Sequence, residues 1–203
     1  MDKETDFRSR GRPREFDVEE ALRLAIEVFR QRGYTATSIA DLIQGMKLSR
    51  GSFYKAFKDK QSVFAAAYDL YAKEGAQRLE AVANGGGNGR ERIEAVLNLY
   101  ARLSRGHDGK NGCLVVAAAV ELSVAEPDIS RRVVASWQRT ERLLFGLLED
   151  AERDGSIAPL EDRAATASTI LCLMQGMRIV GKSEIVGGKI IARVAQQALK
   201  LVG

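Results

Sequence analysis

Residues 37–60, TSIADLIQGMKLSRGSFYKAFKDK, leave this chain few folds to choose from. Thr37, placed as an N-cap before the apolar set Ile39, Ala40, Leu42 and Ile43, predicts a helix of about two turns from residue 38 that Gly45 ends. Leu48 then plugs a tight turn, and Ser49 caps a second helix running through Arg50, Gly51, Ser52, Phe53, Tyr54, Lys55, Ala56 and Phe57. Phe53 and Phe57, at i and i+4, share one face, which leaves Arg50, Ser52, Tyr54 and Lys55 on the other. Two short helices with a basic, hydroxyl-rich outer face suit the delivery of side chains into a DNA groove.

The wider pattern is Gly33-Tyr34, Thr37-Ser38-Ile39, Leu48 through Tyr54, and Phe57-Lys58-Asp59-Lys60, all after a helix that starts near residue 17. It resembles the TetR/AcrR family of bacterial transcriptional repressors over roughly residues 10–70. Family members often carry glycine just before the Leu48 position; here Lys47 stands there, and a left-handed backbone costs it about 1 kcal/mol relative to glycine. The resemblance implies phosphate contacts from Thr37, Ser49, Tyr54 and Lys60, and groove contacts from Arg50, Gly51, Ser52 and Lys55, with Ser38 beside them. The chemistry agrees, since hydroxyls bind phosphate and arginine can pair with guanine, at about 1–3 kcal/mol of discrimination per bidentate pair.

Charge placement supports that end of the chain. Residues 8–60 hold twelve Lys/Arg against seven Asp/Glu, whereas residues 61–203 hold eighteen against seventeen. Such an excess attracts phosphate through counterion release, without sequence preference. Residues 1–15 place Arg8, Arg10, Arg12 and Arg14 around Gly11 and Pro13, an arm unsuited to regular helix, from which Arg10 and Arg12 can enter a minor groove. Residues 17–32 follow as an amphipathic helix with Asp17 as cap and Val18, Leu22, Ala25, Ile26 and Phe29 as its stripe.

Beyond residue 60 only helical periodicity is found: 60–83, then a Gly/Asn break at 84–89, then 89–105, 112–125, 127–154, 161–182 and 184–201, with a loop over 106–111. The expected fold is therefore all-α, with an arm (1–15), a three-helix DNA-binding domain of helix-turn-helix type (16–60) and a helical ligand-binding and dimerisation domain (61–203). The last two helices are apolar on more than one face, and the resemblance implies that they pair with their copies as a homodimer.

Within the second domain, Tyr100, Glu121, Trp137, Glu141, Gln175 and Arg178 are candidates for orienting a small-molecule inducer in an apolar cavity. Cys113 follows Gly112 at the predicted start of a helix, where amide dipoles favour a reactive thiolate, and Gly-Cys-Leu is similar to a segment in a branch of the family with cysteine sensors. Cys113 therefore reads either as a sensor of electrophiles or oxidants or as a buried apolar residue, and Cys172 reads as packing. His107 reads as a solvated loop residue. No nucleophile–base–orienter set, phosphate loop, metal-ligand spacing or cofactor motif is present, so catalysis has no support in the sequence. No apolar run nears the roughly 18 residues a membrane span needs, and the N-terminus is charged throughout, so a cytoplasmic location is expected.

The leading expectation is thus a dimeric repressor that binds a palindromic double-stranded DNA operator and is released by a small molecule. A Cys113-based sensor is the alternative within regulation. A helical ligand-binding protein or enzyme that does not use DNA, and a nonspecific packager of DNA, are the alternatives of other classes.

Overall fold

The computed structural model describes residues 17–183 and 188–203; the arm with Arg10 and Arg12 lies outside them. Ten α-helices and a closing 3-10 turn make up the described residues, with no strand among them. The first is α1 (Val18–Arg32), where the Asp17 carboxylate accepts the amides of Glu19 and Glu20 at 2.8 and 3.3 Å. Gly33 closes it at φ 79°, a left-handed value that favours glycine. Its buried stripe is Ala21, Ala25, Ile26 and Phe29; Val18, expected inside, is exposed.

The short pair follows as α2 (Ile39–Gly45) and α3 (Arg50–Ala56). The long α4 (Lys60–Ala83), about 36 Å at 1.5 Å per residue, starts at Asp59 with a capping box to Ser62. Then come α5 (Gly89–Leu103), α6 (Gly106–Asn111), α7 (Leu114–Glu121), α8 (Pro127–Arg153), α9 (Arg163–Val180), α10 (Gly188–Leu199) and the 3-10 turn Lys200–Val202. No helix among the described residues is long and apolar enough to cross a membrane.

Two elements depart from expectation. Residues 106–111 form α6 rather than a loop: Gly109 packs so tightly that an added Cβ would lie 2.6 Å from the Ser104 backbone, and Asn111 is buried, donating to Glu27 at 3.0 Å. Packing overrides a weak helix-forming composition here. The helix expected over 112–125 shrinks to α7, because Gly112 adopts φ 77° and Leu122 already leaves helical geometry.

Apolar side chains gather in two cores that share α4 and α8. One joins Phe29, Leu42, Phe53 and Phe64 to Leu114 and Ala118 of α7 and to Ile129 and Val133 at the start of α8. The other joins Leu79, Ile93, Leu97, Leu144, Leu148, Ile170 and Met174 with Ile191 and Ala195 of α10. Gly89 makes the α5–α8 crossing possible, since a Cβ there would lie 2.3 Å from the Ala151 Cα. The seam between these cores holds a cavity.

Candidate functional site: a basic helix face and a seam cavity

At the N-terminal end, Ser38 rather than Thr37 caps α2: its hydroxyl accepts the Asp41 amide at 3.1 Å while Asp41 returns a bond to the Ser38 amide at 2.9 Å. The Ser38 hydroxyl, donating to the Asp41 carboxylate at 2.6 Å, and the Ser38 amide hold that carboxyl below its usual range. Thr37 is turned inward, 2% exposed, and donates its hydroxyl to the Gly33 carbonyl at 2.6 Å. Lys60 is also engaged internally, its ammonium donating to the carbonyls of Tyr34 and Thr37, each at 2.9 Å, and lying 4.2 Å from the Tyr34 ring centre. Of the two expected phosphate contacts, Thr37 therefore closes the 33–37 turn and Lys60 fastens that turn to the start of α4.

Gly45 does not end α2 by conformation. It lets α2 approach α1, because a Cβ at Gly45 would lie 2.3 Å from Val28 Cγ2. The turn is made instead by Lys47 at φ 56°, the left-handed position where the family often has glycine. Leu48 then donates its amide to the Ile43 carbonyl at 3.0 Å, and its side chain packs on the core.

Ser49 caps α3, accepting the Ser52 amide at 3.0 Å. Phe53 is buried and Phe57 nearly so, which turns Ser49, Arg50, Gly51, Tyr54 and Lys55 to solvent, with Ser52 half-buried. The Arg50 guanidinium rests 5.9 Å from the Tyr54 ring centre and has no carboxylate partner among the described residues. A cation in the first turn of a helix faces the positive end of the helix dipole, so an arriving phosphate relieves an existing repulsion.

The seam cavity is about 390 Å³ and is walled by α1, α4, α5, α7, α8 and α9. Five of the seven expected ligand residues line it: Tyr100, Cys113, Trp137, Gln175 and Arg178. Two do not. Glu121 lies at the far end of α7, accepting the Thr35 amide at 3.0 Å, and Glu141 faces α9, where Ser168 donates to it. Helical spacing placed both on the right helices; the rotation of each helix against its neighbours, which spacing does not fix, turned them away. Cys172, expected inside, is on the exposed face of α9.

The cavity's polar end is built around Gly112, whose carbonyl accepts Arg30 Nε at 3.0 Å and Arg178 Nη2 at 2.9 Å. Arg30 also meets Glu27 at 2.8 Å and Asp108 at 3.3 Å. Burial would lower its pKa, but Tyr71, Glu27 and Asp108 outweigh that and hold it above its usual value. Burial pushes Tyr68 and Tyr100 up to about 12 and raises Tyr71 as well, so these phenols are neutral hydroxyls at ordinary pH. Arg30 and Tyr71 were not expected from the sequence; Arg30 looks like one more cation in a charged helix, and only its depth reveals its role. His107 sits on α6 with its Nε2 3.0 Å from the Asn111 amide nitrogen.

A capped basic helix presented by one core, and a half-polar cavity at the seam with another, define a helix-turn-helix DNA-binding regulator. Residues 21–79 match the model of bacterial regulatory proteins of the tetR family, and residues 89–185 match a tetracyclin repressor-like C-terminal domain. The chain is 31% identical over 176 residues to the HTH-type transcriptional repressor ComR of Escherichia coli K12, covering 85% of this chain and 82% of ComR. The protein belongs to the TetR family of transcriptional regulators. It is also 29% identical to the repressor NemR of Escherichia coli K12 over 126 residues, 62% of this chain and 61% of NemR. Among solved structures, a cysteine mutant of the TetR family regulator CifR in complex with 26 bp double-strand operator DNA superposes with a TM-score of 0.82 at 27% identity, covering 93% of this chain and 98% of that one.

Proposed function

We propose that the chain acts in the cytoplasm as a homodimeric repressor, with residues 16–60 as the reading domain, residues 61–203 as the regulating and dimerising domain, and residues 1–15 as an accessory arm. The observation that carries this reading is the exposed α3 face, where Ser49, Arg50, Gly51, Tyr54 and Lys55 lie together without internal carboxylate partners among the described residues. Arg50, Gly51, Ser52 and Lys55 meet the major groove, and Ser38, Ser49 and Tyr54 meet phosphates. Thr37 and Lys60 act indirectly, by holding the turn that aims α3. Operator-bound CifR, of the same fold and 27% identical, supports the assignment.

One α3 reads only a few base pairs. Two copies about 34–36 Å apart reach successive major grooves of a palindrome. The apolar residues left exposed along α9, α10 and the closing 3-10 turn, Ile179, Val180, Ile190 and Leu201, provide the surface for pairing.

Release follows from a small molecule entering the seam cavity. Moving occupancy from nearly all one state to nearly all the other requires a preference of about 5.5 kcal/mol between states. Besides α1, which belongs to the reading domain and itself lines the cavity, two elements reach from the cavity to that domain: α4, and α7, which carries Cys113 at its cavity end and Glu121 on the Thr35 amide at the other. A second reading, in which an electrophile or oxidant modifies Cys113, is favoured by the position of that thiol in the cavity wall beside Tyr71.

Anisotropy titration against DNA from the chain's own upstream region tests the proposal. Sequence-selective, salt-sensitive binding is expected, and Arg50→Ala with Tyr54→Phe should weaken it at least tenfold; binding to random duplex equally well overturns it. Cys113→Ser should keep DNA binding in either case, and lose release by electrophile or oxidant only if the thiol is the sensor. Glu121→Ala should keep operator affinity while reducing the inducer's effect on it several-fold, a loss of coupling of about 1 kcal/mol.

A further inference from the structure

The seam cavity contains a buried cation with no counter-ion among the described residues. Arg178 is 3% exposed, and a guanidinium does not lose its proton in a protein. One of its nitrogens, Nη2, donates to the Gly112 carbonyl, while the other, Nη1, is buried with no acceptor. Arg30, its neighbour on the same carbonyl, has Glu27 and Asp108; Arg178 has no carboxylate within ion-pair distance among the described residues. Nor do the adjacent phenols supply charge, because burial raises both Tyr71 and Tyr100.

A second buried donor in the same cavity is also unmet: the indole Nε1 of Trp137. The buried side-chain atoms of the cavity left without partners are therefore both donors, and one of them carries full positive charge. A buried charge without a counter-ion is destabilising by several kcal/mol in general, so such a site is complete only when something else brings the negative charge.

We propose that the inducer is an apolar-bodied carboxylate, its acid group accepting from Arg178 Nη1 and its body lying on the apolar wall formed by Leu99, Leu103, Val115 and Leu143, with Trp137 Nε1 as a further donor. Because Nη2 is committed to Gly112, the acid takes a single charge-assisted bond from Arg178 rather than a two-pronged pair. The same guanidinium then links ligand to Gly112, and Gly112 to Arg30 of α1, so that the acid bears directly on the helix that carries the reading domain. This inference rests on the inducer reading given above and names the chemical class of the ligand.

Trp137 is the one tryptophan of the chain, so its fluorescence reports occupancy without DNA. The full-length protein is titrated with hexanoate and cyclohexanecarboxylate, and with their primary amides, which match them in shape but lack charge. Saturable fluorescence changes are expected for both acids, with the amides at least tenfold weaker. Arg178→Gln should bring the acids down to the level of the amides, and Arg178→Lys, which keeps a charge, should retain part of the preference. Calorimetry checks the affinities independently, and if Arg178→Gln does not fold, the acid–amide comparison on the wild type decides alone. Equal binding of acids and amides, no saturable binding of either acid, or an acid preference that survives in folded Arg178→Gln each overturns the proposal. The inducer reading fails separately: amides that bind and release DNA would leave it standing without the acid, whereas acids that bind a protein with no operator preference would do the reverse.

Discussion

The reading end and the seam cavity handle their polar groups in opposite ways. In the first, Ser38, Ser49, Asp59 and Thr37 satisfy backbone groups three or four residues away, Lys60 alone reaches back across the sequence to Tyr34 and Thr37, and the cations left over point to water. In the second, polar groups converge from helices far apart in sequence, as when Arg30 and Arg178 meet on Gly112, and two donors stay buried and unmet. A surface that must meet DNA can be finished before its partner arrives, because water covers its charges. A cavity that must respond to a ligand cannot, and its unmet donors are what a ligand can bias.

If the difference is real, damage to one region should spare the other. Phe53→Ala removes a fully buried ring that packs on Tyr54 and Phe57, at a cost of about 3–5 kcal/mol. Operator binding should vanish at working temperature while Trp137 emission and carboxylate binding persist. Emission that shifts together with the loss of DNA binding would show that the cores, which share α4 and α8, do not come apart.

Next in size is an alkaline effect that belongs mainly to the cavity side, where Tyr71 and Tyr100 lie, with Tyr68 buried in the core that holds Phe53. The folded pKa values of Tyr68 and Tyr100 stand at about 12 and that of Tyr71 is also raised, against about 10 in the unfolded chain. Between these values the folded state holds protons that the unfolded state has released, so stability is complete below pH 10 and falls as pH rises toward 12. Urea melts across pH 8–11.5, with tyrosinate absorbance followed in parallel, should show a decline that starts only above pH 10. Stability that stays level from pH 10 to 11.5, with the folded protein's tyrosinate absorbance rising near pH 10, would mean that these phenols are not buried as described.

The same contrast explains how much the sequence disclosed. Helix caps and breakers act over three or four residues, so Asp17, Ser49 and the 84–89 break were legible, and with them the all-α fold and the exposed face of α3. Even there, Thr37 and Ser38 stand side by side with equal capping ability, and which one turns inward is decided by the Gly33 carbonyl, a tertiary matter. Cavity residues depend on how a helix is rotated against its neighbours. That is why Tyr100, Trp137, Gln175 and Arg178 were found alongside Glu121 and Glu141, which point elsewhere, and why Arg30 and Tyr71 were missed.

The smallest effect tests whether the reading end is finished, as the comparison holds, or strained for its purpose. Lys47 stands at φ 56°, where any residue with a Cβ is disfavoured, and the turn it makes sets the angle between α2 and α3. Lys47→Gly removes that cost but frees the unfolded chain, so the gain is at most about 1 kcal/mol, or roughly 2–4 °C in Tm for a chain of this size. The Lys47 side chain is exposed and borrows no packing from the core. A small rise in Tm with operator affinity unchanged would show that the left-handed turn is only tolerated, the local hydrogen bonds of Leu48 and Ser49 being enough to hold the geometry. A rise in Tm accompanied by weaker operator binding would instead assign the lysine a phosphate contact of its own, since backbone relief alone cannot lower affinity while the turn keeps its shape.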